Sequence, residues 1–327
     1  MGINVLSLFD GMSCGQIALE RAGLEVDNYF ASEIDKYAIA VTQHNYPNTI
    51  QLGDVTQWRN WNIPKPDLIM GGSPCQGFSF AGAGLNFEDP RSRLFFTFSD
   101  IVKCFNPKYF LLENVKMKKE HQNIISEYLG VEPIEINSAL VSAQNRKRLY
   151  WTNIQYVEQP LDKGIFLKDV VEFGEVDRTK SYCIEANYSK GGSKKNYLEK
   201  KRRQIDNLPT KSYQSERRLM VRVGTATDIK GHDYNKPIYS KFGKSPTISA
   251  MSGGNLEPKV ALDDYRYRKL TPLECERLQT IPEGYTICQH PVYKNKSMSD
   301  TQRYKMLGNG WTVDVIAHIL KHAEFNK

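Results

Sequence analysis

Short apolar runs alternate with stretches of helical spacing over the first 115 residues, and this alternation restricts the fold more than any other feature. The apolar runs have the length of buried strands and lie at 3–9, 28–32, 49–52, 67–70 and 109–112. The helical stretches lie at 15–22, 35–44 and 94–105. Alternation of this kind favours a mostly parallel sheet covered by helices. We therefore predict a doubly wound α/β domain with its binding site beyond the carboxyl ends of the strands.

The positive charge of the chain is concentrated in one segment. The whole chain has a formal net charge of +7, whereas residues 178–260 hold 18 Lys/Arg against 7 Asp/Glu. Tyrosines are interleaved with basic runs such as 200–203. Because basic side chains neutralise phosphates and aromatic rings stack on bases, this segment predicts a smaller nucleic-acid-binding domain. A merely solvated basic lobe is the alternative interpretation.

The six cysteines lie far apart and form no CxxC pair, a spacing that suits neither a disulfide framework nor a zinc ribbon. The N-terminus opens on an apolar run without a basic leader, and no apolar stretch approaches the roughly 20 residues of a membrane span. These features predict a cytoplasmic protein with no metal and no membrane partner.

Candidate ligand-binding residues follow the first three predicted strands. The first strand runs into the glycine-containing loop 9–15, where the backbone can approach a ligand closely. Glu33 follows the second strand, where a carboxylate can accept hydrogen bonds from ribose hydroxyls. Asp54 follows the third and could accept from an adenine amino group. Together they predict an adenosine-containing ligand, although an isolated acidic residue at a strand end is more often a helix cap.

Candidate catalytic residues follow the next strands. Cys75 lies on the Gly/Pro-rich loop 71–79 after the fourth strand, where a nucleophile would be exposed at the sheet edge. Glu113 ends the fifth strand and brings a carboxyl to the same edge. Gln144, Arg146 and Arg148 alternate along an extended segment, which predicts that they share one face.

Several blocks of sequence resemble those of a known family. Pro74-Cys75-Gln76, Glu113-Asn114-Val115 and Gln-x-Arg-x-Arg at 144–148 look, in that order, like the signature blocks of cytosine-5 DNA methyltransferases. The segments 245–248, 268–279 and 308–310 are similar to later blocks of that family. The first block, Phe-Asp-Gly-Met-Ser-Cys-Gly, departs from the common Phe-x-Gly-x-Gly-Gly. It is similar to phage enzymes and to the de novo branch of animals.

The resemblance implies a Rossmann-like fold that binds S-adenosylmethionine and releases S-adenosylhomocysteine. It implies that Cys75 attacks C6 of a cytosine flipped out of duplex DNA, with Glu113 at N3 and Arg148 at O2. Arg146 completes the predicted catalytic set. The implied cofactor-binding residues are Phe9, Asp10, Gly11, Gly15, Glu33, Asp54, Pro74 and Asn309. The implied substrate-binding residues are Ser79, Gln144 and Thr247.

The resemblance also implies the order of the domains along the chain and the partners of the protein. We expect a catalytic domain at 1–177, a target recognition domain at 178–262, a hinge region at 263–302, and a C-terminal segment at 303–327 that returns to the catalytic domain. We expect a monomer that acts on double-stranded DNA in the cytoplasm of a bacterial or phage-infected cell. Whether a restriction endonuclease accompanies it, acting separately, stays open.

Two alternatives keep the same scaffold. A tRNA cytosine-5 methyltransferase would share the motifs, but a basic region of about 80 residues has the length of a DNA recognition domain. A catalytically silent DNA-binding module would have no need of a nucleophile, whereas Cys75, Glu113 and Arg148 are all present.

Overall fold

The computed structural model describes residues 2–73, 90–173, 179–186, 188, 204–208, 222–225, 237–240, 259–261 and 266–325. The chain divides into two compact units. The first consists of Met1–Glu172, Arg178–Ile205 and Lys269–Lys327, and the second of Phe173–Asp177 and Asp206–Arg268. Within the described residues, no helix is both long and apolar enough to cross a membrane.

The first unit is built on a seven-stranded sheet. Its strands are β1 (Ile3–Leu8), β2 (Val26–Ser32), β3 (Ile50–Gln51), β4 (Leu68–Gly71), β5 (Tyr109–Val115), β6 (Ile134–Asn137) and β7 (Lys147–Thr152). They lie in the order β3-β2-β1-β4-β5-β7-β6, and β7 is antiparallel to both of its neighbours. The other pairings are parallel. The predicted doubly wound α/β fold is confirmed, with one reversed strand that the sequence pattern did not indicate.

The helices of this unit are α1 (Cys14–Ala22), α2 (Lys36–Asn45), α3 (Pro90–Phe105), α4 (Lys119–Leu129), α5 (Pro272–Leu278), α6 (Asp300–Asn309) and α7 (Val313–Leu320). Short 3₁₀ helices span Val55–Asn60, Ser138–Leu140 and Leu167–Asp169. Near-continuous apolar strands such as β1 are buried on both faces, as expected for parallel strands inside a sheet. A cluster of buried side chains from the strands, α3 and α4 includes Leu6, Phe95, Phe98, Ile125 and Trp151.

Local sequence signals explain where α5 begins. Thr271 is its N-cap and accepts a hydrogen bond from the backbone N–H of Glu274, while the Glu274 carboxylate accepts from the backbone N–H of Thr271. Pro272 occupies the first turn, where its missing N–H costs nothing. This reciprocal capping fixes the start of the helix after the chain leaves the basic segment.

The second unit contains short strands. β9 (Arg222–Thr225), β10 (Pro237–Ser240) and β11 (Lys259–Ala261) form a three-stranded sheet, and β8 (Ile205–Leu208) pairs with β12 (Arg266–Lys269) at the boundary of the unit. The roles assigned to the predicted domains stay predictions.

Candidate active site

The carboxyl ends of the parallel strands open into one pocket, with a volume of about 490 Å³. Ligands of sheets of this kind bind at this edge. The pocket is lined by these residues that the sequence singled out: Phe9, Asp10, Gly11, Glu33, Asp54, Glu113, Arg146, Arg148 and Asn309. Gly15 and Gln144 are not among its lining residues, and Pro74, Cys75, Ser79 and Thr247 lie outside the described residues.

The turn after β1 lines the pocket. Phe9 and Gly11 both have positive φ, 56° and 62°. Such a conformation suits glycine, whereas it is strained for phenylalanine. Gly11 donates its N–H to Glu33 Oε2 at 2.8 Å, which ties the ends of β1 and β2 together.

Gly15 serves helix packing. A Cβ built on it would lie 2.5 Å from Met70 Cε and 2.8 Å from the Tyr29 hydroxyl. Glycine at this position therefore lets α1 approach side chains of β2 and β4 closely. The structure puts Gly15 in the buried part of α1, away from the surface that a cofactor would touch.

Asp10 is a partly buried carboxylate on the pocket wall. Burial raises its pKa from 3.8 to about 6, although hydrogen bonds from Ser13, Ser7 and Tyr29 oppose that rise. The Tyr29 hydroxyl donates to Asp10 Oδ1 at 2.7 Å, and the Ser13 hydroxyl donates to Oδ2. Asp10 is therefore held by neutral donors, and its charge is costly because the effect of burial outweighs that of these hydrogen bonds.

Whether an adenosine group fits the pocket depends on the hydrogen-bond acceptors that Glu33 and Asp54 still have available. Glu33 Oε1 accepts from the N–H groups of Ile34 and Asp35, and Oε2 accepts from Gly11. A carboxylate has about four acceptor sites, so Oε2 keeps one for a ligand hydroxyl. Asp54 Oδ1 accepts from the Thr56 N–H at 2.9 Å and caps a 3₁₀ helix. Its other oxygen accepts no hydrogen bond within the described part of the chain.

This donor and acceptor set fits S-adenosylmethionine. Glu33 and Asp54 offer carboxylate oxygens at successive strand ends, while Phe9 and Ile34 supply apolar surface beside them. The helix-cap interpretation of Asp54 is also correct, because its side chain caps the 3₁₀ helix while the residue lines the pocket. Capping and binding are compatible in one carboxylate.

Glu113 and Arg148 form an ion pair in the same pocket. Arg148 Nε lies 2.9 Å from Glu113 Oε1, and the two side chains are 15% and 12% exposed. Burial alone would lower the pKa of Arg148, but Glu113 and then Cys183 raise it above its usual value. The two opposite charges therefore compensate each other in a largely buried environment.

Arg148 is anchored on three sides. Besides Glu113, it donates from Nη1 to the Lys147 carbonyl at 2.9 Å and from Nη2 to Cys183 Sγ at 3.8 Å. A guanidinium has five N–H donors, so one N–H on each Nη has no acceptor among the described residues. Those two donors are available for a carbonyl oxygen in the pocket.

Gln144 and Arg146, by contrast, are built into the protein interior. Arg146 is 4% exposed and donates to the carbonyls of Ile184, Gly308 and Gly310. Gln144 is completely buried; its amide donates to the Leu278 carbonyl and accepts from the Ile184 N–H. The three alternating side chains therefore do not share one ligand-facing surface.

Arg146 instead holds the polypeptide around Asn309. Its guanidinium spans the carbonyls on either side of that residue, and Gly308 lets α6 approach the chain at 185–186. A Cβ on Gly308 would come within 2.2 Å of the Ala186 backbone nitrogen. Arg146 and Gly308 together therefore fix the position of residues 308–310 beside the pocket.

Several lining residues were not foreseen from the sequence. Trp311 lies beside Gly72, where an added Cβ would be 3.0 Å from its Nε1. Lys305 pairs with Asp35 at 2.7 Å on the pocket rim. Their only sequence signal was proximity to Asn309, since a tryptophan or lysine at such a position is usually core or solvated surface.

Asn114 is a further unforeseen contact. Its side-chain amide donates to the Ser73 hydroxyl at 3.2 Å and to the Ser73 carbonyl at 3.4 Å, and it is 2% exposed. It therefore links the end of β5, which carries Glu113, to Ser73, the last described residue of the loop that follows β4. The tripeptide 113–115 marked this asparagine but not its partner.

Most of the described thiols are poor nucleophiles. Cys14 lines the pocket, but burial raises its pKa to about 12. Burial also raises the pKa of Cys275 and of Cys288. Cys104 is exposed on α3, and Cys183 is half-buried beside Arg146 and Arg148. No cluster of three or more His, Cys, Asp or Glu suited to a metal occurs among the residues the structure describes.

Comparisons with known proteins agree with the geometry. The family model "C-5 cytosine-specific DNA methylase" matches residues 3–324. Orphan methyltransferase M.SPRI of Bacillus phage SPR is 32% identical, over 99% of both chains. Type II methyltransferase M.HhaI of Haemophilus parahaemolyticus is 29% identical, over 97% of this chain and 93% of that protein.

Solved structures share the fold. A mutant of DNMT2 from Spodoptera frugiperda gives a TM-score of 0.61 at 20% identity, over 98% of this chain and 99% of that one. A prophage-encoded putative DNA modification methyltransferase from E. coli gives 0.56 at 21% identity, over 98% of both. Since the family model spans nearly the whole sequence, the chain belongs to the C-5 cytosine-specific DNA methylases and is an S-adenosylmethionine-dependent DNA cytosine-5 methyltransferase.

Proposed function

We propose that Cys75 is the nucleophile of this methyltransferase and that Glu113 and Arg148 hold the target cytosine beside it. The observation that carries the proposal is the Glu113–Arg148 ion pair at the carboxyl edge of β5. The same edge carries Ser73, which Asn114 binds. Cys75 follows Ser73 by two residues, and two residues reach at most about 7 Å. A thiol, a carboxylate and a guanidinium therefore belong to one small region.

These groups suit methylation at C5, a carbon of low nucleophilicity. Addition of the Cys75 thiolate to C6 would push electron density onto C5, which then takes the methyl group. Glu113 would hold the ring at N3, and the two available N–H groups of Arg148 would bind O2, so that negative charge is stabilised as it develops. A base then removes the C5 proton, and the Cys75 sulfur leaves C6.

S-adenosylmethionine would supply the electrophilic methyl group when bound. The residues that would hold it are Phe9, Asp10, Gly11, Glu33, Asp54 and Asn309, with Pro74 from the loop that carries Cys75. Arg146 acts at a distance by fixing the backbone around Asn309. No metal is needed, because the thiol is itself the nucleophile.

The proposed substrate is duplex DNA. The reacting edge of cytosine is inaccessible in a duplex, so the target nucleotide must leave the base stack, at a cost of a few kcal/mol. The basic segment 178–262 would offset that cost through phosphate contacts, with Thr247 and Ser79 at the DNA. We further propose that the enzyme is a monomer in the cytoplasm of a bacterial or phage-infected cell, as its phage and bacterial relatives suggest; a separately acting restriction endonuclease stays open.

Methyl transfer to DNA tests the proposal. Tritiated S-adenosylmethionine and unmethylated duplex DNA of diverse sequence would be incubated with the wild type, Cys75→Ser and the matched control Cys104→Ser, with bulk tRNA in parallel. We expect label in 5-methylcytosine of DNA for the wild type and the control, and background for Cys75→Ser. Retained activity in Cys75→Ser would refute the nucleophile, and label confined to tRNA would refute the substrate.

A further inference from the structure

We propose that Cys183 is a positioning residue for Arg148, a role that rests on the proposed function of Arg148 and Glu113. Cys183 Sγ lies 3.4 Å from Arg146 Nη1 and 3.8 Å from Arg148 Nη2, so one sulfur contacts both guanidinium groups. The thiol itself donates to the Ile184 carbonyl at 3.4 Å. With its hydrogen directed there, the sulfur lone pairs are left to accept from the two arginines.

The contact with Cys183 sets the plane of the Arg148 guanidinium. Glu113 holds Nε, and a group held at one point can still pivot about that bond. The Lys147 carbonyl and Cys183 hold Nη1 and Nη2, which leaves one orientation that satisfies all three partners. The remaining N–H on each Nη is then aimed in a fixed direction, as a group that binds developing charge must be.

The segment that carries Cys183 is itself fixed to the segment that carries the arginines. Ser181 donates its N–H to the Ala143 carbonyl at 2.7 Å and accepts from the Asn145 N–H at 3.0 Å. Ile184 donates its N–H to Gln144 Oε1 at 2.9 Å. Cys183 therefore lies between two residues, Ser181 and Ile184, whose backbone hydrogen bonds fix the position of the segment.

A matched pair of substitutions separates an accepting role from a packing role. Cys183→Ser keeps an acceptor and reduces the volume, whereas Cys183→Val removes the acceptor and fills at least the volume of the thiol. If the sulfur orients Arg148 by accepting its N–H, serine must be the better replacement. If the thiol merely fills space, valine must equal or exceed serine.

The experiment measures methyl transfer to DNA under single-turnover and steady-state conditions, with Cys104→Val as the control. We expect kcat to fall about tenfold in Cys183→Val, the lower end of the loss of a hydrogen bond to a charged group, and less in Cys183→Ser. The KM for S-adenosylmethionine and the unfolding midpoint should stay near wild type. An unchanged kcat in both variants, a valine variant at least as active as the serine variant, or a fall in activity that follows stability would overturn the proposal.

A second readout does not depend on turnover. Rotation of the Arg148 Nη groups about Cζ–Nη, followed by ¹⁵N NMR, should be slow in the wild type and in Cys104→Val, fastest in Cys183→Val and intermediate in Cys183→Ser. Cys75→Ser and Glu113→Gln are assayed alongside. If these two lose methyl transfer while the Cys183 variants behave as wild type, only the positioning role fails; if they retain it, the proposed function fails.

Discussion

Asp10 and Glu113 are carboxylates at the same strand edge, but their surroundings differ. Glu113 is paired with a guanidinium at 2.9 Å. Asp10 accepts from the neutral hydroxyls of Tyr29 and Ser13, and burial raises its pKa to about 6. Asp10 therefore makes protein stability depend on pH, whereas the ion pair of Glu113 acts on the substrate in our account.

We predict that Asp10→Asn removes a pH-dependent loss of stability. A carboxyl whose pKa is raised in the folded state destabilises the protein as the pH rises from 3.8 through about 6. A shift of this size corresponds to about 3 kcal/mol. Urea unfolding at a series of pH values should show the wild type losing about that much free energy of unfolding relative to the variant. Parallel pH curves for the two proteins would contradict the assignment.

At the scale of elements, the pocket depends on the close approach of α6 to the chain at 185–186. Gly308 makes that approach possible, and Arg146 holds the carbonyls of Gly308 and Gly310. Asn309 lies between those two glycines and lines the pocket. Cofactor affinity should therefore respond to backbone changes in α6 that touch no ligand.

We predict that Gly308→Ala is far more damaging than Gly310→Ala. The new Cβ at 308 would lie 2.2 Å from the backbone of Ala186, which cannot shift cheaply, so the cost should reach or exceed the usual 1–3 kcal/mol of overpacking. At 310 the contacts are longer, 3.0 Å to the flexible end of Met12 and 3.1 Å to the Met306 carbonyl oxygen, so a smaller adjustment is enough. Denaturant unfolding and S-adenosylmethionine binding by calorimetry would test the order. Equal effects of the two substitutions would refute it.

The sequence predicted those parts of the fold and site that depend on residues close together in the chain. Strand–helix alternation indicated the sheet, and Glu113 and Arg148 were singled out by their motif and meet in the structure. The sequence could not show that β7 is reversed, because that direction depends on its pairing with both β5 and β6. Nor could it show that Gln144 and Arg146 turn inward, because they bind the carbonyls of Leu278 and Gly308, more than 100 positions away. Cys183 carried no signal at all, since its neighbours are set by tertiary structure.

At the scale of the whole molecule, the charge is divided unevenly. The segment 178–260 holds 18 Lys/Arg against 7 Asp/Glu, while the net charge of the whole chain is only +7. A basic segment is suited to binding phosphates. The division itself was readable from sequence, whereas the bases that the enzyme reads were not.

We predict that alanine substitution of the basic run Lys200, Lys201, Arg202 and Arg203 weakens DNA binding and makes the affinity less dependent on salt concentration. Each phosphate contact contributes about 0.9 to the slope of log K against log salt. Binding titrations at several salt concentrations should show a shallower slope, with loss of affinity on every DNA sequence. An unchanged slope would mean that this run is only solvated surface.

The most direct test of our account is covalent trapping on DNA that contains 5-fluorocytosine. After methyl transfer the C5 fluorine cannot leave as a proton would, so the enzyme should stay bonded to C6. Mass spectrometry of the digested complex should find the nucleotide on Cys75, dependent on S-adenosylmethionine and absent in Cys75→Ser. An adduct on Cys183, or continued methylation of ordinary DNA by Cys75→Ser, would contradict the central claim that Cys75 is the nucleophile.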